Sequence, residues 1–308
     1  MSDGTIHLAH RSVAPTSISE NTTALWVDTN GQIRTTQSSG LSSNLGAGLF
    51  AGGRLTLTTG TPVTTSDVTS ATSLYFTPYG PSGNKISLFD GTNWQLHSFS
   101  ELSDTNAGFT ASKPHDIFLD WNGGSPQLEK LAWTDATTRA TALTYQDGRE
   151  VLTGALDWNY VATVYADASS QFNDSVLIRG VWNRYNQEKK LLYKYDGSSH
   201  IYGTGTWRAW NDDSANTVYF VSGLSRLVNM YISRAQLDPD TTGYVRLYLD
   251  NSELFQSWIR SDATTYNITL NSISNPLVVP GYHSVVAQEY SSGNTTFSTI
   301  VVSADILC

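Results

Sequence analysis

From Arg54 onward, apolar and polar residues alternate in short runs broken by turn-forming residues, the pattern of strands that bury one face. The runs RLTLTT (54–59), SLYFTPY (73–79), KISLFD (85–90), WQLHSF (94–99), HDIFLDW (115–121) and QLEKLAW (127–133) predict a first set of strands. In LVNMYISRAQL (227–237), Val228, Met230 and Ile232 fall on one side, with Asn229, Tyr231 and Ser233 on the other. GYVRLYLDN (243–251) puts Val245, Leu247 and Leu249 inward in the same way. TYNITLNS (265–272), GYHSVVAQEY (281–290) and TTFSTIVVSADI (295–306) continue the scheme, with turns at Asn275-Pro276, Pro280-Gly281 and Gly293-Asn294. Asp90-Gly91 lies between two of the early runs and supplies the positive φ angles of a tight hairpin; YQDG (145–148) and KYDG (194–197) repeat that punctuation after an aromatic residue. Many strands joined by polar turns predict an all-β fold of antiparallel sheets in sandwich or jelly-roll domains.

One segment breaks the alternation. Asp174-Ser175 can cap a helix, Leu177, Ile178, Val181, Trp182 and Tyr185 recur at helical spacing, and Lys189 and Lys190 suit the negative end of a helix dipole. The expectation is one short helix over 174–190, weakened by roughly 1 kcal/mol at Gly180. It would join two β blocks, with Trp182 and Tyr185 as buried anchors and Asn183 and Asn186 bonding neighbouring loops.

Residues 1–53 carry few bulky apolar side chains and end in the Gly/Ser-rich SSGLSSNLGAGLFAGG (38–53). They read as an attachment arm that orders on a partner. The expected organisation is therefore an arm at 1–53, a middle β domain at 54–157 and a C-terminal β-sandwich at 158–308.

Composition narrows the function. The formal net charge is −9, with no basic block, against nucleic acid as a partner. No apolar run reaches the roughly 18 residues of a membrane helix, so no membrane insertion is expected, and the first residues lack a secretory signal pattern. The one cysteine, Cys308, permits no intrachain disulfide and is expected to be a frayed, inert end.

Candidate chemistry is sparse. The six histidines, His7, His10, His97, His115, His200 and His283, show no strong metal-ligand spacing. Asp238, Asp240 and Gly243 imitate a calcium loop without its distal glutamate. Neither metal nor cofactor is expected. Glycoside hydrolysis needs only two carboxylates across a sugar groove, and Asp116, Asp120, Glu129, Asp157, Asp167, Asp174, Glu253 and Glu289 supply candidates without choosing among them. Aromatics crowd the window from Trp182 through Tyr193, Tyr195 and Tyr202 to WRAWNDD (207–213). There Trp207, Arg208 and Trp210 are either a stacking platform for glycan or core aromatics, and core packing is the commoner use of such residues.

The ordered motifs RLTLTTGTPVTTSDVTSATSLYFTPYGPSGNKISLFDGTNWQLHSFSELS (54–103), ATTRATALTYQDGREVLTGA (136–155), VWNRYNQ (181–187) and TWRAWNDD (206–213) resemble virion surface proteins of tailed bacteriophages, of tail-fibre, head-fibre or receptor-binding type. The likeness covers roughly 54–223, and PGYHSVVAQEYSSGNTTFST (280–299) looks like the last hairpin of a jelly roll at the tips of such proteins. It implies a structural, non-enzymatic virion component: a homotrimer assembled in the host cytoplasm, docked to other virion proteins through 1–53 and able to bind host surface glycan. No catalytic residue carries over. The alternative is a polysaccharide-degrading or deacylating tail protein.

Overall fold

The computed structural model of the chain describes residues 11–16, 19, 22–27, 33–37, 42–44, 50–90, 94–122, 124–237, 242–250, 252–260 and 268–308. His7, His10, Gly91, Asp238 and Asp240 lie outside them. The fold is all-β, and no described helix exceeds the three-residue turn Trp210–Asp212.

A large sheet runs in the order Ser125–Ala132, Lys113–Asn122, Ala155–Ala166, Phe172–Asp174, Ile178–Arg179, Thr217–Ser222, Gly281–Tyr290, Thr242–Leu249, Ser252–Arg260. Its neighbours pair antiparallel, except that Ile178–Arg179 lies parallel to Thr217–Ser222. A five-stranded sheet is built on Thr295–Leu307, which is flanked on one edge by Lys189–Asp196 and His200–Tyr202 and on the other by Asn229–Leu237 and then Ile268–Ser274. The two sheets share one core, in which Val218, Phe220, Val245, Leu247, Val285 and Ala287 meet Met230, Ile232, Phe297, Val302 and Ala304. The alternation that predicts Val228, Met230 and Ile232, and Val245, Leu247 and Leu249, as inward residues matches their burial.

A second core lies under the shorter strands Arg54–Thr56, Ser73–Thr77 and Lys85–Phe89, where Leu55, Leu74, Phe76 and Leu88 pack on Ile117, Leu119, Val164 and Phe172. Strands Lys113–Asn122 and Ala155–Ala166 serve both cores. The expected boundary between 157 and 158 falls inside the second of these strands. Within 1–53, Thr23–Val27, Ile33–Gln37 and Ser42–Asn44 pair as a small antiparallel sheet, and the buried Trp26 donates its indole N–H to Thr36.

The expected helix at 174–190 is absent. Ser175 closes a turn by accepting from the amides of Leu177 and Ile178, and Ile178–Arg179 and Val181–Asn183 enter the sheet as strands. Val181–Asn183 pairs with Ala162–Val164. Two contacts explain why strand wins. A Cβ at Gly180 would sit 2.3 Å from the Asn173 carbonyl oxygen, so glycine admits a close chain crossing there. Asp174, the supposed cap, instead pairs with Arg179 and with Lys190, the supposed dipole partner. Trp182 is buried, but on a strand; Tyr185 lies between the guanidiniums of Arg149 and Arg184, each 5.2 Å from its ring. Asn183 bonds the backbone of Leu55, and Asn186 that of Ala51 and Gly53.

Cys308 is not a frayed end. It is buried, exchanges backbone hydrogen bonds with Glu188, and burial pushes its thiol above the ordinary value.

Candidate ligand cleft

Strand Ser125–Ala132 leads into Trp133 and a turn in which the Asp135 carboxylate accepts from the amides of Thr137 and Thr138. That turn delivers Arg139. The hairpin Leu143–Gln146/Arg149–Leu152 follows, closed by Asp147-Gly148 with φ of 49° and 86°. Both central residues are left-handed, as a two-residue hairpin turn requires, so the sequence signal YQDG is met literally. Tyr145 and Glu150 are cross-strand partners on one face of this hairpin.

These segments and the loop at Leu224, Val279 and Pro280 enclose an open cleft of about 460 Å³, within the range of small-ligand sites. Its rim is apolar and accessible: the Tyr145 ring is 66% exposed and Val279 56%. Its polar groups are fixed. Arg139 Nε donates to Asp116 Oδ2 at 2.5 Å, and its NH2 to Asp116 Oδ1 at 3.2 Å and the Gly223 carbonyl at 2.5 Å. The guanidinium also stands 4.5 Å from the centre of the Trp133 ring. Only glycine fits at 223, because a Cβ would lie 2.0 Å from the Tyr160 hydroxyl and 2.4 Å from the Trp182 ring. Thr163 donates to Asp116 at 2.7 Å and sits 2.6 Å from the Tyr160 hydroxyl, extending the network behind the cleft. Burial pushes the Asp116 carboxyl above the ordinary carboxylate range, against the pull of Arg139 and Thr163. Glu150, also buried, accepts from Arg184 Nε at 2.9 and 3.0 Å.

The Val279 wall is anchored too. His283 contacts the Val279 carbonyl through Nε2 at 2.9 Å and Asp250 through Nδ1 at 2.5 Å, while the Tyr282 amide donates to Ala136. The cleft thus offers a flat exposed ring and apolar walls above a rigid floor of neutralised charge. Such a site favours stacking and hydrogen bonding over proton transfer, since each floor carboxylate already faces a cation.

Trp207, Arg208 and Trp210 do not join it, and they do not form one platform. Trp210 is fully buried, edge-on to Phe297 and His200. Arg208 donates to the buried Glu289 at 2.7 Å and stacks 3.8 Å over Tyr202. Glu289 also contacts His200 Nε2 at 2.6 Å. Trp207, partly exposed, lies beside Tyr290 and under the guanidinium of Arg246 at 4.2 Å. Core and sheet packing therefore use this cluster.

Half of the candidate carboxylates are committed as well: Asp116 to Arg139, Asp174 to Arg179 and Lys190, Glu289 to Arg208 and Glu253 to Arg246. Asp120 and Glu129 differ. Burial and then the Asp157 charge raise Asp120, and burial and then the Asp120 charge raise Glu129. Among the described residues no cluster of His, Cys, Asp or Glu could hold a metal ion.

The molecule is defined at this level as an all-β protein with a two-sheet core and a lateral aromatic-rimmed cleft. No family model matches the sequence, and no curated protein matches it. Solved structures with partial likeness include a β-porphyranase of glycoside hydrolase family 86 from Bacteroides plebeius, at 10% identity and TM-score 0.25, covering 80% of this chain and 38% of that one. The dimeric latent PorU of Porphyromonas gingivalis matches at 8% identity and TM-score 0.25, covering 64% and 22%, and the Cry8Ea1 insecticidal delta-endotoxin of Bacillus thuringiensis at 7% and 0.21, covering 83% and 52%. The chain thus spans 22–52% of the length of these structures. At such TM-scores no function transfers from them.

Tyr145, Arg139 and Glu150 were not singled out by sequence patterns. YQDG locates the hairpin, and its two-residue turn sets Tyr145 opposite Glu150, but the local run does not tell that the tyrosine is exposed while the glutamate is buried.

Proposed function

We propose that this chain is a non-enzymatic surface component of a tailed-bacteriophage virion, a fibre or decoration protein docked through residues 1–53 and self-associating as a homotrimer, and that it holds host-surface glycan in the Tyr145 cleft. The sequence resemblance supports the virion setting. One observation carries the binding role: the cleft combines an exposed aromatic ring with a guanidinium and a carboxylate that are already ion-paired. Flat apolar rings stack on the C–H faces of sugars, and fixed polar groups orient hydroxyls without carrying out chemistry on them.

The test is calorimetric titration of the full chain with polysaccharides extracted from bacterial surfaces, alongside chromatography of the polymer. Saturable binding without shortening of the chains, lost in Tyr145→Ala, supports the proposal. Absence of binding across the panel counts against it.

A second reading rests on Asp120 and Glu129: burial and then the Asp157 charge raise the first carboxyl, burial and then the Asp120 charge raise the second, and a raised carboxyl near another acidic group is what the acid of glycoside cleavage needs. Chain shortening abolished by Asp120→Asn or Glu129→Gln, with Tyr145→Ala unaffected, would establish that reading instead.

A further inference from the structure

The five-stranded sheet buries one face in the main core, and its outward face carries exposed apolar side chains among the described residues. On its outward face Leu191, Tyr193, Tyr195 and Ile201 are 46%, 40%, 49% and 66% exposed, and they follow one another along the edge formed by Lys189–Asp196 and His200–Tyr202. Their pairing partners on Thr295–Leu307 run from Asp305, opposite Leu191, to Thr296, opposite Ile201. At about 3.3 Å per residue the stripe is roughly 30 Å long. Leu307 extends it at one end, and Val176, whose carbonyl accepts from the Tyr193 amide, adds apolar surface at its side.

We propose that this outward face is where copies of the chain associate. The inference rests on the self-association in the preceding reading and names the surface responsible. Three arguments select another copy over other occupants. The first is area. The exposed fractions leave roughly 400 Å² of apolar surface in one stripe, the size of the largest and often functional patch on a protein surface. The sheet behind it, about 14 Å across three strands by about 43 Å along the longest, lets each copy contribute roughly 600 Å² to contacts with its neighbours, at the low end of what one partner gives to a specific interface.

The second argument is charge. The chain carries a net charge of −9, so copies repel over most of their surface, yet on this face the charged neighbours Lys189 and Asp305 are paired at 2.9 Å. Those two charges cancel and set up no net repulsion against a second copy. The third is side-chain chemistry. Leucine and isoleucine dominate both ends of the stripe and offer a sugar ring no stacking plane, whereas a second sheet face interdigitates with them, as in any sandwich. Tyrosines at the centre, with a Lys–Asp pair towards one end, also have the composition of an interface core and its rim.

Light scattering on the full chain after size-exclusion chromatography tests the proposal. The unaltered protein is expected at a multiple of its 33.7 kDa chain mass. Tyr193→Lys combined with Ile201→Lys is expected at the single-chain mass, with an unchanged far-ultraviolet spectrum and melting temperature. Leu191→Ser with Tyr195→Ser provides a milder version if the lysine variant fails to fold. Leu277→Lys, at an exposed position on the separate Arg226–Leu227/Leu277–Val278 ribbon, is expected to leave the mass unchanged. An unaltered protein that is monomeric at every concentration overturns both the face and the self-association. An oligomer that survives in the folded face variants overturns the face alone, and glycan titration of any monomeric variant reads the cleft independently.

Discussion

The segment Trp207–Trp210 and the cleft around Tyr145 invert the usual expectation about aromatic density. The first packs two indoles and an arginine into four residues and spends them on internal contacts: Trp210 fills the core, Arg208 neutralises Glu289, and Trp207 lies under Arg246. The second is built mostly from the stretch 133–150, with Leu224, Val279 and Pro280 opposite, and its one prominent ring is the most exposed tyrosine described. Crowded aromatics stabilise by burying area, whereas a ligand site needs a ring whose face remains open. The difference is one of exposure more than of composition.

If that contrast holds, Trp210→Ala has the largest effect on stability and none on binding beyond the loss of folded protein. Removing a fully buried indole from the shared core is expected to cost about 3–5 kcal/mol, as is Trp182→Ala on its strand, read from denaturant unfolding. A near-neutral Trp210→Ala would mean that the cluster is not core.

Acid should loosen the second core next, where His115 packs against Phe109. His115, on the strand beside Asp116, accepts from the Thr110 amide through Nε2 at 2.9 Å and faces the Lys113 carbonyl through Nδ1 at 3.1 Å, which fixes a neutral ring. Burial, followed by the charges of Lys130 and Lys113, lowers its pKa from 6.5 to about 4 against the opposing pull of the Lys113 carbonyl. The unfolded chain therefore takes up this proton first. The contribution is whole above about pH 6.5 and falls by about 3 kcal/mol as the pH drops to about 4. His115→Gln should flatten that part of the pH–stability curve.

Trp207→Ala should be milder, about 1 kcal/mol, because the ring is partly exposed and its chief partner is a cation. Glycan affinity is expected to be unchanged. Smallest of all is the stability effect of Tyr145→Ala, within about 0.5 kcal/mol for a surface side chain. Its binding effect should be the largest of any variant.

Much of the fold was legible in the sequence because burial on one face of a sheet imposes a period of two. Strands 85–89 and 94–98 and the inward set Val228, Met230 and Ile232 follow from it directly. The segment 174–190 departs from its helical spacing for an equally physical reason: over a few residues, apolar positions spaced three and four apart also fit two short strands separated by a turn. The deciding facts are the close crossing at Gly180 and the pairing of Val181–Asn183 with Ala162–Val164. The candidate site was less legible still. Arg139, Tyr145 and Glu150 share one stretch of chain, but Val279 meets them only because the sheet order places its loop alongside, and the hydrogen bond from the Tyr282 amide to Ala136 secures the two across 146 residues of chain.

The central claim is that the Tyr145 cleft binds glycan without cleaving it. The most direct measurement is calorimetric titration of a bound surface polysaccharide into the unaltered protein and into Tyr145→Ala, with the polymer length followed in the same samples. The account predicts saturable heat with the first, none with the second, equal melting temperatures and a constant polymer length. Undiminished binding by folded Tyr145→Ala, or steady shortening of the polymer, would contradict it.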